Sequence, residues 1–112
     1  MDAFKRYGID SGEGLLSFVI DSGLAVQNAT GIEGSQNVIY LPDLTTFNWK
    51  STDRIVRINC KEPAKNIIES VSKLNHIENG SGDPTRPYSF TISSFSDLID
   101  VIFALKTIET NI

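Results

Sequence analysis

Hydrophobic positions recur at helical spacing in three separate segments of this chain. In the first segment, the apolar residues between Leu15 and Leu24 fall on one side of a helical projection, which predicts a helix over residues 12–26. Asp10 and Glu13 precede them with the spacing of a capping box. We therefore expect Asp10 to accept the first free backbone amides of this helix.

Two further helices are predicted in the second half of the chain. Pro63 suits the first turn of a helix because its missing amide would be unpaired there, and an apolar stripe follows over residues 64–74. The last helix, over residues 95–109, follows the cap-forming Ser94. Because it is apolar on most of its sides, we expect it to be covered from two directions.

Four short segments between these helices have the composition and alternation of β-strands. Residues 38–41 are an apolar run ended by a proline, whereas residues 45–49 and 54–60 alternate and are joined by a short turn. Residues 88–92 alternate again after a long irregular stretch rich in Gly, Pro and Asn. The predicted order is helix, three strands, helix, strand, helix.

This order predicts an α+β fold, built as a two-layer sandwich in which about three helices cover a mixed sheet of about four strands. A right-handed crossover through the middle helix is expected to make the strands at 54–60 and 88–92 parallel. Residues 1–112 are expected to form a single domain, since this length is typical of one core.

Composition limits the classes of protein that fit. Hydrophobic residues at 40% and charged residues at 21% are near the globular average. One cysteine, Cys60, and one histidine, His76, argue against a disulfide, a zinc site or any other metal or cofactor. The absence of a secretion signal and of a long apolar run predicts a cytoplasmic protein that does not enter a membrane.

Charge is distributed unevenly along the chain. The net charge is −4, yet residues 50–65 carry a charge of +3, from five basic and two acidic side chains: Lys50, Arg54, Arg57, Lys61 and Lys65 against Asp53 and Glu62. This segment is the strongest cationic feature of the sequence.

Two interpretations of the basic hairpin segment, residues 47–65, stay open. In one, Phe47 and Trp49 stack on nucleic-acid bases while the cations contact phosphates. In the other, which we favour, both aromatic side chains face the core and the charges are solvated. Arg54 and Arg57 are three residues apart, so an ideal strand directs them to opposite faces, which weakens the nucleic-acid interpretation.

The tetrapeptide Ile-Asp-Ser-Gly occurs twice, and its second copy follows Phe18 and Val19. This copy resembles the active-site strand and turn of the retroviral-type aspartic proteases. The resemblance implies an almost all-β subunit that pairs with a second copy, with Asp21 as the catalytic carboxylate. The family's later motif of two hydrophobic residues and a glycine has no counterpart in residues 97–105, which contain no glycine and have helical spacing.

Taken together, these features favour a small non-catalytic module that binds another protein as an inhibitor, adaptor or accessory subunit. Homodimerisation through helix 95–109 stays open, as do nucleic-acid binding by the basic segment and, as an outside alternative, an aspartic protease. Enzymatic activity is disfavoured because few catalytic residue types are present. The predicted binding residues lie in the hairpin and in the long loop: Trp49, Lys50, Arg54, Arg57, Asn79, Asp83 and Arg86.

Overall fold

The structure, a computed structural model, describes residues 4–30, 38–78 and 82–110 and has the predicted α+β class. Within these residues it contains three helices and one sheet of six strands, preceded by a short 3₁₀ turn. The helices are α1 (Gly12–Asp21), α2 (Glu62–Val71) and α3 (Phe95–Thr110). The strands are β1 (Asn28–Thr30), β2 (Val38–Tyr40), β3 (Thr46–Lys50), β4 (Ile55–Cys60), β5 (Ile77–Glu78) and β6 (Tyr88–Ile92).

The sheet is antiparallel throughout, with the strand order β1-β2-β3-β4-β6-β5. The prediction of a mixed sheet of about four strands is therefore wrong in both respects. β1 lies between the predicted first helix and the first predicted strand, where no element was expected, and β5 lies just beyond the predicted second helix. Both are two or three residues long and form the edges of the sheet, so neither carries a hydrophobic run that a sequence pattern could show.

The predicted parallel pairing of β4 with β6 is also wrong. Val56 lies opposite Ile92 and Cys60 opposite Tyr88, in antiparallel register. Because β5 and β4 each run antiparallel to β6, β4 and β5 run in the same direction. The connection through α2 therefore leads from β4 to β5, and β6 returns between them.

Helix α1 starts at the predicted residue, Gly12, but ends five residues earlier than predicted. The side chain of Ser11, rather than Asp10, accepts the hydrogen bond from the Gly14 amide, at 3.0 Å. The helix stops where Gly23 adopts a left-handed backbone with φ of 91°, a conformation that glycine adopts without the steric penalty of a Cβ. Beyond this turn the chain leads into β1.

The other two helices confirm the predicted positions more closely. In α2, Pro63 lies in the first turn, and Ala64 and Ile68 are buried. In α3, the Ser94 hydroxyl accepts a hydrogen bond from the Asp97 amide at 3.2 Å. Among the residues described, no helix combines the length and apolar character needed to cross a membrane.

The helices share one hydrophobic core with a single face of the sheet. Strand residues on this face alternate along β3, β4 and β6 and are buried together with residues of all three helices: Phe47, Trp49, Val56, Ile58, Phe90 and Ile92 with Leu15, Val19, Ile68, Leu98, Val101 and Leu105. Side chains of a strand alternate between faces. The intervening strand residues therefore point away from the helical layer, as expected for two layers.

Candidate functional site

The strand residues that point away from the helices form what we call the open sheet face. On β2, β3, β4 and β6 it contains eight polar residues, Tyr40, Thr46, Asn48, Lys50, Arg57, Asn59, Ser89 and Thr91, of which Thr46 and Ser89 are buried. The strand register places the apolar residues Val38, Ile55 and Ile77 on the same side of the sheet. Tyr40, Thr46, Asn59 and Ser89 form one row across four strands, and Asn48, Arg57 and Thr91 form the next. In the described part of the chain, no helix packs on this face.

Strand β3 shows why the sequence produces two different faces. Phe47 and Trp49 alternate with Thr46, Asn48 and Lys50, so one side of the strand is aromatic and the other polar. Burial of the aromatic side fixes the register of the whole hairpin, because a shift of one residue would expose both rings. The polar face is thus a direct consequence of core formation.

Arg57 occupies the centre of the open sheet face. It lies on β4, opposite Asn48 on β3 and Thr91 on β6. Its Nε atom is buried, and no described residue accepts a hydrogen bond from it. Lys50 lies diagonally across the hairpin, since it pairs with Ile55, and such diagonal neighbours are about 7–8 Å apart.

The electrostatic character of this face differs from that of the whole chain. Its eight polar residues include two cations, Lys50 and Arg57, and no carboxylate, whereas the chain carries a net charge of −4. The remaining polar members carry hydroxyl and amide groups; Thr46 and Ser89 are buried, and the Ser89 hydroxyl donates to Asn59 Oδ1 at 2.7 Å. The face therefore suits a polar, anionic partner group.

Asp83 and Arg86, both predicted site residues, come together at one end of this face. An Arg86 terminal nitrogen donates to Asp83 Oδ2 at 2.5 Å, and the guanidinium lies 5.5 Å from the centre of the Tyr40 ring. Arg86 Nε also donates to the Leu44 carbonyl oxygen. No sequence pattern could identify Leu44 or Tyr40 as partners, since more than forty residues separate them from Arg86.

The same loop holds the Asp83 carboxylate in its ionised form. The Asp83 pKa is lowered mainly by hydrogen bonds from the Thr85 hydroxyl and amide, and further by Arg86. Asp83 therefore offsets the positive charge of Arg86, and Lys50 and Arg57 remain the cations of the face itself.

A polar groove extends the open sheet face toward the β1 edge. It has a volume of about 530 Å³ and is lined by Gln27, Asn28, Thr30 and Tyr40. Tyr40 is shared between the groove and the face, so a partner that covers the face can also reach the groove.

Three of the predicted site residues lie elsewhere. Trp49 is 5% exposed and packs edge-on against Phe4 in the core, so a surface role for Trp49 is wrong and the base-stacking role fails for both buried rings. Arg54 is exposed in the turn between β3 and β4, where it adopts a left-handed backbone with φ of 54°. Asn79 lies outside the described residues.

Asp21 is the last residue of α1 and is exposed. The resemblance to aspartic proteases requires a strand and a tight turn at this place, and that expectation is wrong because Phe18 to Asp21 are helical. The glycine that follows ends a helix instead. The structural basis for assigning Asp21 a catalytic role is thus lost.

A second polar cluster, which the sequence did not indicate, joins α2 to β5. His76 Nδ1 lies 2.7 Å from Glu69 Oε2, and His76 Nε2 lies 3.7 Å from Glu78 Oε1. The imidazole also packs edge-on against the Tyr88 ring, and the Lys65 ammonium lies above that tyrosine ring. These contacts hold the segment after α2 against the helix.

Cys60 is unsuited to nucleophilic chemistry. Burial raises the pKa of its thiol to about 12, and nearby Asp43 and Glu69 act in the same direction. The nucleophilic form of cysteine is the thiolate, which is therefore scarce near neutral pH. Cys60 instead packs in the core as a small apolar side chain.

Within the described ranges, no group of three or more His, Cys, Asp or Glu side chains could hold a metal ion. The expected lack of metal and cofactor stays a prediction. No protein-family model matches the chain, and no curated protein and no solved structure shows significant similarity to it. The function is therefore inferred from the open sheet face and its surroundings.

Proposed function

We propose that this protein is a small non-catalytic module that binds another protein through the open sheet face. The observation that carries the proposal is that the described helices cover only one of the two faces of the sheet. The described helices all pack on one face of a six-stranded sheet, and the opposite face carries Lys50, Arg57 and the exposed Thr91 among polar and a few apolar side chains. A polar, hydrogen-bonding surface on a rigid sheet is well suited to recognise a partner surface.

An inhibitor, adaptor or accessory subunit fits this arrangement. The candidate nucleophile, Cys60, is buried with a strongly raised pKa, and the candidate carboxylate, Asp21, lies at a helix end. The cytoplasmic location predicted from the sequence stays a prediction.

Site-specific photocross-linking tests the proposal. A photoreactive amino acid replaces Thr91, which is exposed on the open sheet face, and in a matched control it replaces Ser70, which is exposed on α2. In extracts of the native host we expect one defined protein to cross-link at position 91 and not at position 70. Equal cross-linking at both positions, or none at position 91, would contradict the proposal.

The nucleic-acid alternative is weaker because the structure divides the basic segment. Lys50 and Arg57 lie on the open sheet face, whereas Lys65 lies on α2, beside Glu69 and above Tyr88. The two aromatic residues expected to stack on bases, Phe47 and Trp49, are in the core. Single-strand binding combines a continuous cationic groove with exposed aromatic rings, and neither feature is formed by these residues.

A homodimer through α3 is the remaining part of the proposal. Ile99 and Phe103 are one helical turn apart and are 42% and 61% exposed, so they form an apolar pair on the outer side of the helix. Covering such a pair with a second copy would remove both side chains from water.

A further inference from the structure

Arg57 carries a buried, unsatisfied hydrogen-bond donor on the open sheet face. Its Nε–H is buried, and none of the residues in the described ranges accepts a hydrogen bond from it. Most buried polar groups of native proteins have a partner, so an unsatisfied donor at a surface with a proposed binding role requires an explanation. The unsatisfied donor marks Arg57 as a side chain whose hydrogen-bonding capacity the described fold does not fill.

The neighbours of Arg57 indicate what kind of ligand atom fits. Asn48 and Thr91 flank it on the two adjacent strands, and Lys50 lies diagonally across the hairpin. A guanidinium presents its donors as a planar fork that matches the two oxygens of a carboxylate. The side-chain amide of Asn48 and the hydroxyl of Thr91 can donate additional hydrogen bonds to the same group.

We infer that Arg57 is the carboxylate-binding residue of the open sheet face and that it receives an aspartate or glutamate side chain of the bound protein. This inference rests on the proposed function, because it assigns the partner group for the same surface. Charge complementarity supports it: the face has two cations and no carboxylate. An acidic segment of the partner therefore meets opposite charge here.

A nucleic-acid phosphate would satisfy the same guanidinium, but the surroundings favour a carboxylate. A nucleic-acid strand presents a long row of phosphates and is bound along a continuous cationic groove, whereas this face has only the two neighbouring cations Lys50 and Arg57. Arg86 is already paired with Asp83, and its guanidinium lies over the Tyr40 ring, where a base would otherwise stack. Two neighbouring cations can pair with one or two carboxylates, but they cannot pair with the longer row of phosphates of a nucleic-acid strand.

Nuclear magnetic resonance provides a direct test, since the Arg57 Nε–H group gives its own signal. The probe is a peptide of about ten glutamates, and a glutamine peptide of the same length serves as the neutral control. We expect the glutamate peptide to shift the Arg57 Nε–H signal and the amide signals of Asn48 and Thr91. The glutamine peptide should leave these signals unchanged.

Matched substitutions separate a specific site from general attraction. Arg57→Gln should weaken glutamate-peptide binding at least about tenfold, whereas Lys73→Gln removes the same charge from an exposed position after α2 and should change affinity less than about twofold. Arg57→Lys keeps the charge without the fork and should bind with intermediate affinity. Circular dichroism of each variant checks that the fold is retained.

The outcomes also distinguish this inference from the proposed function. An unchanged Nε–H signal, or equal weakening by Arg57→Gln and Lys73→Gln, would overturn the carboxylate assignment. Tighter binding of an oligothymidylate of about ten nucleotides than of the glutamate peptide would replace it with a nucleic-acid role. If Arg57→Gln retains the partner that cross-links at position 91, only the carboxylate assignment fails.

Discussion

A hydrogen bond between the side chains of Glu69 and His76 joins α2 to the segment that precedes β5. Both the imidazole and the backbone amide of His76 contact Glu69 Oε2, at 2.7 and 3.3 Å. The pKa of the Glu69 carboxyl is lowered first by the side-chain hydrogen bond of His76, and burial opposes this effect. The lowered pKa means that the ionised carboxylate is preferred in the folded protein.

This preference predicts an acid-sensitive contribution to stability. A lowered folded-state pKa contributes stability above the unfolded value, here 4.5, and that contribution is lost as the pH falls through the folded value. We therefore expect Glu69→Gln to be less stable than the wild type at about pH 6, with a difference that shrinks below 4.5. Urea denaturation across this range measures the difference.

A double-mutant cycle provides the control for the Glu69 prediction. If His76 is the partner that matters, His76→Ala should reduce the effect of Glu69→Gln, because the two substitutions remove one shared contact. Additive effects of the two substitutions, or a difference that persists unchanged at low pH, would show that the contact does not stabilise the fold.

At the scale of elements, the N-terminal turn packs closely against α1 because Gly14 has no side chain. A Cβ at Gly14 would collide with the Gly8 carbonyl oxygen and approach the Ile9 Cα to 3.5 Å. All of these contacts are with backbone atoms of Gly8 and Ile9, which cannot move away as the end of a flexible side chain can. Gly14 is therefore required by the close approach of these two segments.

Gly14→Ala should therefore destabilise the protein, although alanine is the better helix former. An alanine inside a helix normally gains about 1 kcal/mol over glycine, but here the clash should reverse the sign and lower the free energy of unfolding by about 1–3 kcal/mol. The matched control is Ser17→Ala, at an exposed position of the same helix, which should be neutral or slightly stabilising. Chemical denaturation of both variants measures the difference, and an unchanged Gly14→Ala variant would contradict the prediction.

The sequence pattern predicted the longer elements and missed those without their own hydrophobic pattern. The strand at Tyr88–Ile92 and the start of α3 at Phe95 are as predicted, because alternation and a serine cap are local signals. β5 is two residues long with both residues exposed, and it exists because β6 offers a free edge. Because the chain passes from α2 into β5 before it reaches β6, β6 returns antiparallel to both β4 and β5. Local sequence signals do not show this pairing.

The candidate site was also predictable only as far as local sequence signals reach. Lys50 and Arg57 were identified by charge, and Asp83 and Arg86 by their place in a long loop, but their common surface depends on strand order. The alternation in β3 separated Phe47 and Trp49 from Lys50 without showing which side the helices would cover. The Arg86 contact with the Leu44 carbonyl depends on tertiary structure alone.

On the scale of the whole molecule, two opposite surfaces have different chemistry. The open sheet face carries the cations Lys50 and Arg57, whereas the helical layer exposes an apolar pair at Ile99 and Phe103. Lys106 of α3 donates to the Ser22 carbonyl oxygen at the end of α1, at 2.9 Å, so it is already engaged beside this pair. A dimer through α3 would leave the open sheet face available for another protein.

The dimer makes a prediction that depends on Phe103. We expect the wild-type mass in sedimentation equilibrium to rise toward twice the monomer value as the concentration increases. Phe103→Asp should remain monomeric, because a dimer would bury the introduced carboxylates of both copies in an apolar interface, which is unfavourable. Ile20→Asp is the matched control, since Ile20 is 53% exposed but lies on α1, and it should associate like the wild type. Both substitutions are at exposed positions and should leave the core intact. A wild-type protein that stays monomeric over the same range would remove α3 as an interface between copies, and equal loss of association in both variants would place that interface elsewhere on the helical layer.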